Sequence, residues 1–113
     1  MTNTNEVTQL VLESLLRRRI FAWRNNSTGI FDAKKGTYRP AAKKGAPDII
    51  AVLPPTGQFV GIEIKTGKDR MRVEQESFRD SVREMGGIYM VVGSPEEFKA
   101  KWEEMQQIII NQN

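Results

Sequence analysis

The chain contains no cysteine and no histidine, and these two absences narrow its chemistry. Without cysteine there is no disulfide framework, no thiolate zinc site and no cysteine nucleophile. Without histidine there is no Ser-His-Asp triad, no imidazole zinc ligand and no imidazole general base. An enzyme built from this chain must therefore use carboxylates, lysines, hydroxyls or a metal ion held by oxygen ligands.

Long apolar runs are missing as well. No stretch of the sequence approaches the ~18 residues that span a membrane, and residues 1–5 lack the charged-then-apolar order of a signal peptide. The chain has 113 residues, of which 39% are hydrophobic and 27% charged. This size and composition are sufficient for one hydrophobic core without cross-links. We therefore expect a single domain over residues 1–113, located in the cytoplasm and without a membrane partner.

The net charge of +3 is unevenly distributed along the chain. Residues 1–50 carry nine Lys/Arg against four Asp/Glu, whereas residues 51–113 carry eight against ten. All nine N-terminal bases lie between Arg17 and Lys44, a segment in which Asp32 is the only acid. Such a segment favours a polyanionic partner, nucleic acid first, although a solvated surface accounts for the charge alone equally well.

Apolar periodicity and turn residues predict seven main elements. They are a helix over about 5–19, a strand over 20–24, strands over 49–53 and 58–65, a helix over 73–85, a strand over 88–92 and a final helix opened by a capping box at 94–97. Residues 25–47 read as a long loop, part of which can form a short hairpin. Phe78, Val82 and Met85 are predicted as the inner stripe of the second helix. The order α-β-β-β-α-β-α predicts a small α/β domain with a mixed sheet flanked by helices.

The most informative stretch is residues 45–65, which reads G-A-P-D, an apolar strand, a tight turn and G-I-E-I-K. Since strand side chains alternate, Glu63 and Lys65 share one face, and Ile62 lies on the other. Hairpin pairing brings Asp48 beside Glu63. Two carboxylates in contact repel each other and need a cation, and an all-oxygen ligand set suits Mg²⁺ or Mn²⁺ better than zinc.

E-x-K alone is a weak signal, since it also describes a surface salt bridge on an amphipathic strand. The longer pattern is far more restrictive. It resembles the PD-(D/E)xK nuclease superfamily, and more narrowly the virus-type replication-repair nuclease (VRR-NUC) domain that occurs alone in phage and bacterial proteins. The resemblance covers nearly the whole chain: a leading helix with an acid, R-N-N at 24–26, a basic glycine-rich loop, G-x-P-D, E-x-K and a helix with a glutamine.

The resemblance implies a restriction-endonuclease-like fold and a set of site residues. Asp48 and Glu63 match the metal-binding acids, Lys65 matches the catalytic lysine, and the backbone carbonyl of Ile64 would be a further metal ligand. The cofactor would be Mg²⁺ or Mn²⁺.

Two further positions each have two interpretations. Glu6 fits the acid that the family places near the metal, and it equally fits a capping box at the start of the first helix. Gln75 fits the glutamine that follows E-x-K, where a polar residue on an inner stripe needs a partner such as lysine, water or phosphate. Alternatively, Gln75 is a solvent-facing residue at a helix start.

Basic residues near these motifs are predicted to position a phosphate backbone. They are Arg24, Lys43, Lys44, Lys68, Arg70 and Arg72.

The function that the resemblance implies is a metal-dependent DNA endonuclease, homodimeric and acting on Holliday junctions in phage or bacterial replication or repair. The alternatives are a flap or duplex nuclease of the same fold, a non-catalytic module that binds nucleic acid through residues 17–44, and a phage assembly protein without DNA affinity.

Overall fold

The computed structural model of the chain describes residues 3–25, 30–39 and 43–112. The helices and strands are α1 (Thr4–Arg17), β1 (Phe21–Arg24), β2 (Ile30–Asp32), β3 (Thr37–Arg39), β4 (Ile49–Leu53), β5 (Gln58–Ile64), α2 (Val73–Glu84), β6 (Ile88–Val92) and α3 (Pro95–Gln112). The predicted fold class is confirmed, because the protein is α/β with a mixed sheet and, apart from the β2–β3 hairpin, the order α-β-β-β-α-β-α. The hairpin lies within the predicted 25–47 loop.

The main sheet has the strand order β1-β4-β5-β6, and the hairpin forms a separate two-stranded sheet. Strands β1, β4 and β5 pair antiparallel, whereas β5 and β6 pair parallel. A parallel pair needs a crossover connection, and α2 supplies it. In the β4–β5 pair, Ile49 lies opposite Ile62, and this register fixes which residues meet at the start of β4.

The larger core lies between the sheet and the helices α1 and α3. On that face the aliphatic side chains of β4, β5 and β6 pack against Val7, Val11 and Leu15 of α1 and against Phe98 and Trp102 of α3. Helix α2 covers the opposite face over β5 and β6, where the rings of Phe59, Phe78 and Tyr89 contact one another in series. Helices thus lie on both faces of the sheet, although α2 covers only the β5–β6 half of its face. That face carries the candidate site.

The helix starts agree with the predicted caps. Asn3 Oδ1 accepts a hydrogen bond of 2.9 Å from the Glu6 amide at the start of α1. Ser94 Oγ accepts one of 3.0 Å from the Glu97 amide at the start of α3. This is one half of the predicted capping box, whereas the Glu97 carboxylate accepts from the Gly93 amide and not from the Ser94 amide. Helix α1 ends at Arg17, two residues before the predicted end, since Arg19 adopts a left-handed backbone with φ 61°.

One residue of the predicted inner stripe of α2 was placed wrongly. Met85 is 82% exposed, because the helix ends at Glu84 and the chain turns at Gly86 with φ 88°. Phe78 and Val82 remain half-buried on the sheet side of α2. Within the described ranges no helix combines the length and apolar character that a membrane crossing requires.

Candidate active site

Asp48 and Glu63 lie side by side at one end of the sheet, on the face that α2 covers. Asp48 immediately precedes β4, and Glu63 is the last residue but one of β5. Because Ile49 pairs with Ile62, the next position along each strand places Asp48 beside Glu63. Both side chains line the same cleft, and Asp48 is near enough to raise the pKa of the Glu63 carboxyl group. The strand pairing expected from the sequence is therefore present, and it brings the two acids together.

Burial and the neighbouring acid change the titration of Glu63. Desolvation is the largest influence, and the hydrogen bond and charge of Asp48 act in the same direction, so the pKa of Glu63 rises to about 8. The charge of Lys65 and the hydroxyl of Tyr89 lower the pKa by smaller amounts. Without a cation at the site, Glu63 is therefore protonated at neutral pH.

Gln75 connects the start of α2 to Glu63. Its side chain is only 5% exposed, its Nε2 donates to Glu63 Oε1 at 3.1 Å, and its Oε1 accepts from the Arg72 amide at 2.8 Å. These two contacts fix the orientation of the amide, because one end can only donate and the other only accept. The solvent-facing interpretation of Gln75 is wrong. Its partner in this structure is the carboxyl group of Glu63.

Lys65 enters the same cleft from the residue that follows β5. Its amide donates to the Val92 carbonyl at 3.0 Å, so the backbone still follows the sheet there. Its side chain is 10% exposed, and Nζ lies 3.7 Å from Asp69 Oδ2. Asp69 was not among the predicted site residues, and an acid four residues after the lysine is the signal that identifies it.

The backbone of Ile64 orients Asp48. Its amide donates to Asp48 Oδ2 at 2.8 Å, whereas its side chain is buried in the core on the opposite face. Ile64 also lines the cleft, and with the side chain pointing away it does so through its backbone. This position agrees with the backbone role that the resemblance implies for Ile64.

Sequence reasoning missed Tyr89 of β6. Its buried hydroxyl donates to Glu63 Oε2 at 3.4 Å, and burial, together with the charge of Glu63, raises the pKa of the phenol, so it stays a donor. Gly61, its pairing partner in β5, makes room for the ring, since a Cβ there would lie 3.1 Å from Tyr89 Cδ2. A single tyrosine in an otherwise aliphatic strand was the available signal.

Glu6 does not join the two acids. Its side chain is exposed, and Asn3 Nδ2 donates to Glu6 Oε1 at 3.4 Å, so its contacts are those of a helix cap. In residues 3–25, 30–39 and 43–112, no group of three or more acidic side chains could hold a metal ion. The first turn of α1 nevertheless borders the cleft, because Thr4 Oγ1 and Thr66 Oγ1 form a hydrogen bond of 2.8 Å.

The cleft above these residues has a volume of about 530 Å³ and a partly basic rim. Three of the predicted DNA-binding residues line it: Lys43, Lys44 and Arg72. The ammonium group of Lys44 lies 3.4 Å from the carboxylate of Glu74, with 81% of the lysine side chain exposed.

The other three predicted DNA-binding residues lie outside the lining of the cleft. Lys68 and Arg70 are exposed in the segment between β5 and α2. Arg24 Nη2 donates to Asn5 Oδ1 at 2.6 Å, which ties the end of β1 to the first turn of α1.

The donor set of the cleft fits a hard divalent cation. Asp48 and Glu63 offer carboxylate oxygens, and Ile64 offers a backbone carbonyl; hard cations prefer such ligands. Burial, and after it Asp48, raise the pKa of Glu63, and the charge of Lys65 offsets only part of this increase. A bound cation would favour the ionised form of Glu63 further.

Comparison with known proteins does not assign the chain to a family. No family model matches it, and searches of curated proteins and of solved structures found no match either. Functional inference therefore depends on the residues of the cleft.

Proposed function

We propose that this protein is a Mg²⁺- or Mn²⁺-dependent DNA endonuclease with a site of the PD-(D/E)xK type. The observation that carries the proposal is the strand register that places Asp48 beside Glu63, in a cleft that both line together with Lys65. The proposed substrate is branched DNA, with the Holliday junction first, as the resemblance to stand-alone VRR-NUC domains implies. The proposed setting is the cytoplasm during phage or bacterial replication or repair.

The acids would hold the cation, and the surrounding residues would hold the acids. Asp48, Glu63 and the carbonyl of Ile64 would be the protein ligands. When bound, the cation would supply charge neutralisation at the scissile phosphate and would lower the pKa of a water molecule. Gln75 and the Ile64 amide each donate to one of the carboxyl groups, and they thereby fix the direction in which these groups point.

Lys65 would act on the reacting phosphate. In hydrolysis a water oxygen bonds to phosphorus, one ester P–O bond breaks, and the leaving oxygen takes up a proton. Negative charge develops on the phosphate oxygens as this happens, and an ammonium group in a sheltered cleft stabilises it. Lys65 would supply this charge or orient the water, while Asp69 holds its Nζ in position.

The two adjacent acids, of which Glu63 is buried and Asp48 half-buried, favour an enzyme over a non-catalytic DNA-binding module. A surface that only attracts phosphates has no use for two acids in contact beside its basic residues, because they repel a polyanion. Burying Glu63 also costs stability unless the charge is compensated. The basic segment 17–44 alone fits either function, so it does not discriminate between them.

We also propose a homodimer, which is part of what the resemblance implies. Two copies related by a two-fold axis present two equivalent sites. Paired sites of this kind would allow symmetric incision of two strands of a four-way junction.

The test is cleavage of a labelled four-way junction and a matched duplex, with Mg²⁺, with Mn²⁺ and with a chelator. Wild type should cut only with metal. Glu63→Gln and Lys65→Met should each lower the cutting rate at least about 100-fold, as removal of a charge-stabilising group typically does. Lys99→Met is the matched control, since Lys99 is exposed on α3, across the sheet from the cleft, and should cut like wild type.

The outcomes separate the candidate functions. Symmetric nicks in the junction support a dimeric resolvase, whereas preferred cutting of a flap or of the plain duplex changes the substrate and keeps the chemistry. Salt-sensitive binding without cutting under any metal condition, unchanged in Glu63→Gln, would contradict the enzyme and leave the basic binding module. If the protein neither binds nor cuts DNA, the remaining alternative is an assembly protein.

A further inference from the structure

Two large aromatic side chains are exposed together on β1. Phe21 is 70% exposed and Trp23 is 41% exposed, and their ring centroids lie 5.2 Å apart. Strand β1 is at the edge of the main sheet. Phe21 and Trp23 are two residues apart, so they project from the same face of the strand. Two neighbouring exposed aromatic rings mark a binding surface more often than isolated apolar residues do.

This aromatic pair lies on the same face of the sheet as the candidate site. Trp23 pairs with Ile50 of β4, and Asp48 is two residues before Ile50, so the three side chains share a face. Two residues along a strand and one step to the next strand place the Cα atoms of Trp23 and Asp48 about 8 Å apart. A ligand at the aromatic pair would therefore lie within about one nucleotide of the acids.

The surrounding charge favours a nucleic acid as that ligand. The pair lies within the segment that carries nine bases and one acid between Arg17 and Lys44, and such a segment attracts phosphates. Aromatic side chains stack on nucleobases whose faces are uncovered, as in single strands, gaps and branch points. Bases inside a continuous duplex have no uncovered face.

The size of the pair argues against a second copy of the chain as its main occupant. A buried aromatic side chain contributes ~150–250 Å², so the exposed parts of these two rings amount to about 200 Å². A stable protein interface buries about 800 Å² on each partner. The pair matches the face of a base far better than it matches a dimer interface.

We infer that Phe21 and Trp23 form a stacking platform for an unpaired base beside the scissile phosphate. The inference rests on the proposed function and deepens it, because it names the substrate class: DNA that presents unpaired nucleotides within reach of Asp48. The aromatic pair would thus differ in role from the basic residues, which would contact the phosphate backbone of paired and unpaired DNA alike.

Tryptophan fluorescence tests the inference directly. The chain has two tryptophans, and Trp102 is fully buried, so a change in emission on adding DNA reports Trp23. We expect a single-stranded oligonucleotide to quench the emission when no divalent metal is present. A duplex whose two ends are closed by loops of abasic spacers offers no unpaired base, and we expect it to quench the emission much less. Trp23→Phe should remove the signal and keep the affinity, as measured by anisotropy of labelled DNA.

The decisive variant replaces both rings by leucine. Phe21→Leu/Trp23→Leu keeps apolar side chains on the edge strand and should weaken single-strand binding about 5- to 150-fold, the range for losing one stacked base. Duplex binding should stay unchanged. Leu16→Ala is the matched control, because Leu16 is exposed on α1, away from this face, and thermal unfolding verifies that each variant folds.

Single-strand affinity that is equal in the leucine variant and in wild type would overturn the inference. So would sedimentation showing that the leucine variant converts a dimer to a monomer, because the rings would then form a protein interface. Both readings are taken without metal, so a lack of cleavage activity contradicts the proposed function and leaves this test intact.

Discussion

Replacing Glu63 by glutamine should stabilise the metal-free protein at pH 8 and leave it nearly unchanged at pH 5. In the folded protein burial and Asp48 raise the pKa of Glu63 from 4.5 to about 8. The unfolded chain releases this proton near 4.5, whereas the folded protein keeps it up to about 8. Between these values folding takes up a proton, so the free energy of unfolding falls as the pH rises.

The structure sets the size of the effect. Each pKa unit corresponds to about 1.4 kcal/mol, so the whole difference gives a ceiling of about 5 kcal/mol. Water reaches the cleft and screens part of the charge, and we therefore expect about 2–3 kcal/mol. The amide of the Glu63→Gln variant does not titrate. Its oxygen can accept from Gln75 and its NH₂ group can donate to Asp48, whereas the Tyr89 hydroxyl, which donates to Glu63 Oε2, would have to rotate and accept instead.

Urea unfolding at pH 5, 6.5 and 8 in the presence of a chelator measures the effect. Glu103→Gln, an exposed change on α3, controls for the loss of a charge. Adding Mg²⁺ or Mn²⁺ should raise the free energy of unfolding of wild type at pH 8, because a cation favours the ionised acid. The increase should be smaller for Glu63→Gln. Equal stability of wild type and Glu63→Gln at pH 8 without metal would refute this reasoning.

Three glycines give further predictions. Gly45→Ala should lower the free energy of unfolding by about 2–4 kcal/mol, because φ is 82° and a Cβ would lie 2.2 Å from the Glu74 carbonyl oxygen. Gly36→Ala, with φ 67° and nothing within 4 Å, should cost only about 1 kcal/mol; equal losses in urea unfolding would contradict the close approach. Gly61→Ala should cost about 1–3 kcal/mol by displacing the Tyr89 ring, and an unchanged near-ultraviolet circular dichroism spectrum would argue against that displacement.

Local patterns predicted most of the fold. The apolar runs of β4 and β6 are bounded by turn residues, so both strands were predicted with the bounds that the structure has. The end of α1 was less predictable, because it depends on a single backbone conformation at Arg19. The predicted end of α2 differs from the observed one by one residue. The residue that follows a helix can be apolar and still face solvent, as Met85 does.

In the candidate site, too, some contacts follow from local sequence patterns and others depend on tertiary packing. Strand alternation and hairpin pairing are local, and they sufficed to place Asp48 beside Glu63. The contact of Tyr89 with Glu63 depends on the parallel β5–β6 register, which the packing of α2 sets over a long sequence separation. The partner of Gln75 was likewise set by where α2 lies on the sheet.

We propose that the Asp48–Glu63 cleft hydrolyses DNA with a divalent cation. Its most direct test is the rate of four-way junction cleavage by wild type and Glu63→Gln, side by side, with Mn²⁺ and with a chelator. We expect wild type to cut with Mn²⁺ and the variant to cut at a rate at least about 100-fold lower. A cutting rate that does not change on removal of the metal or of the Glu63 carboxyl group would contradict the proposed activity. Wild type that binds the junction and does not cut it would contradict the proposed activity as well.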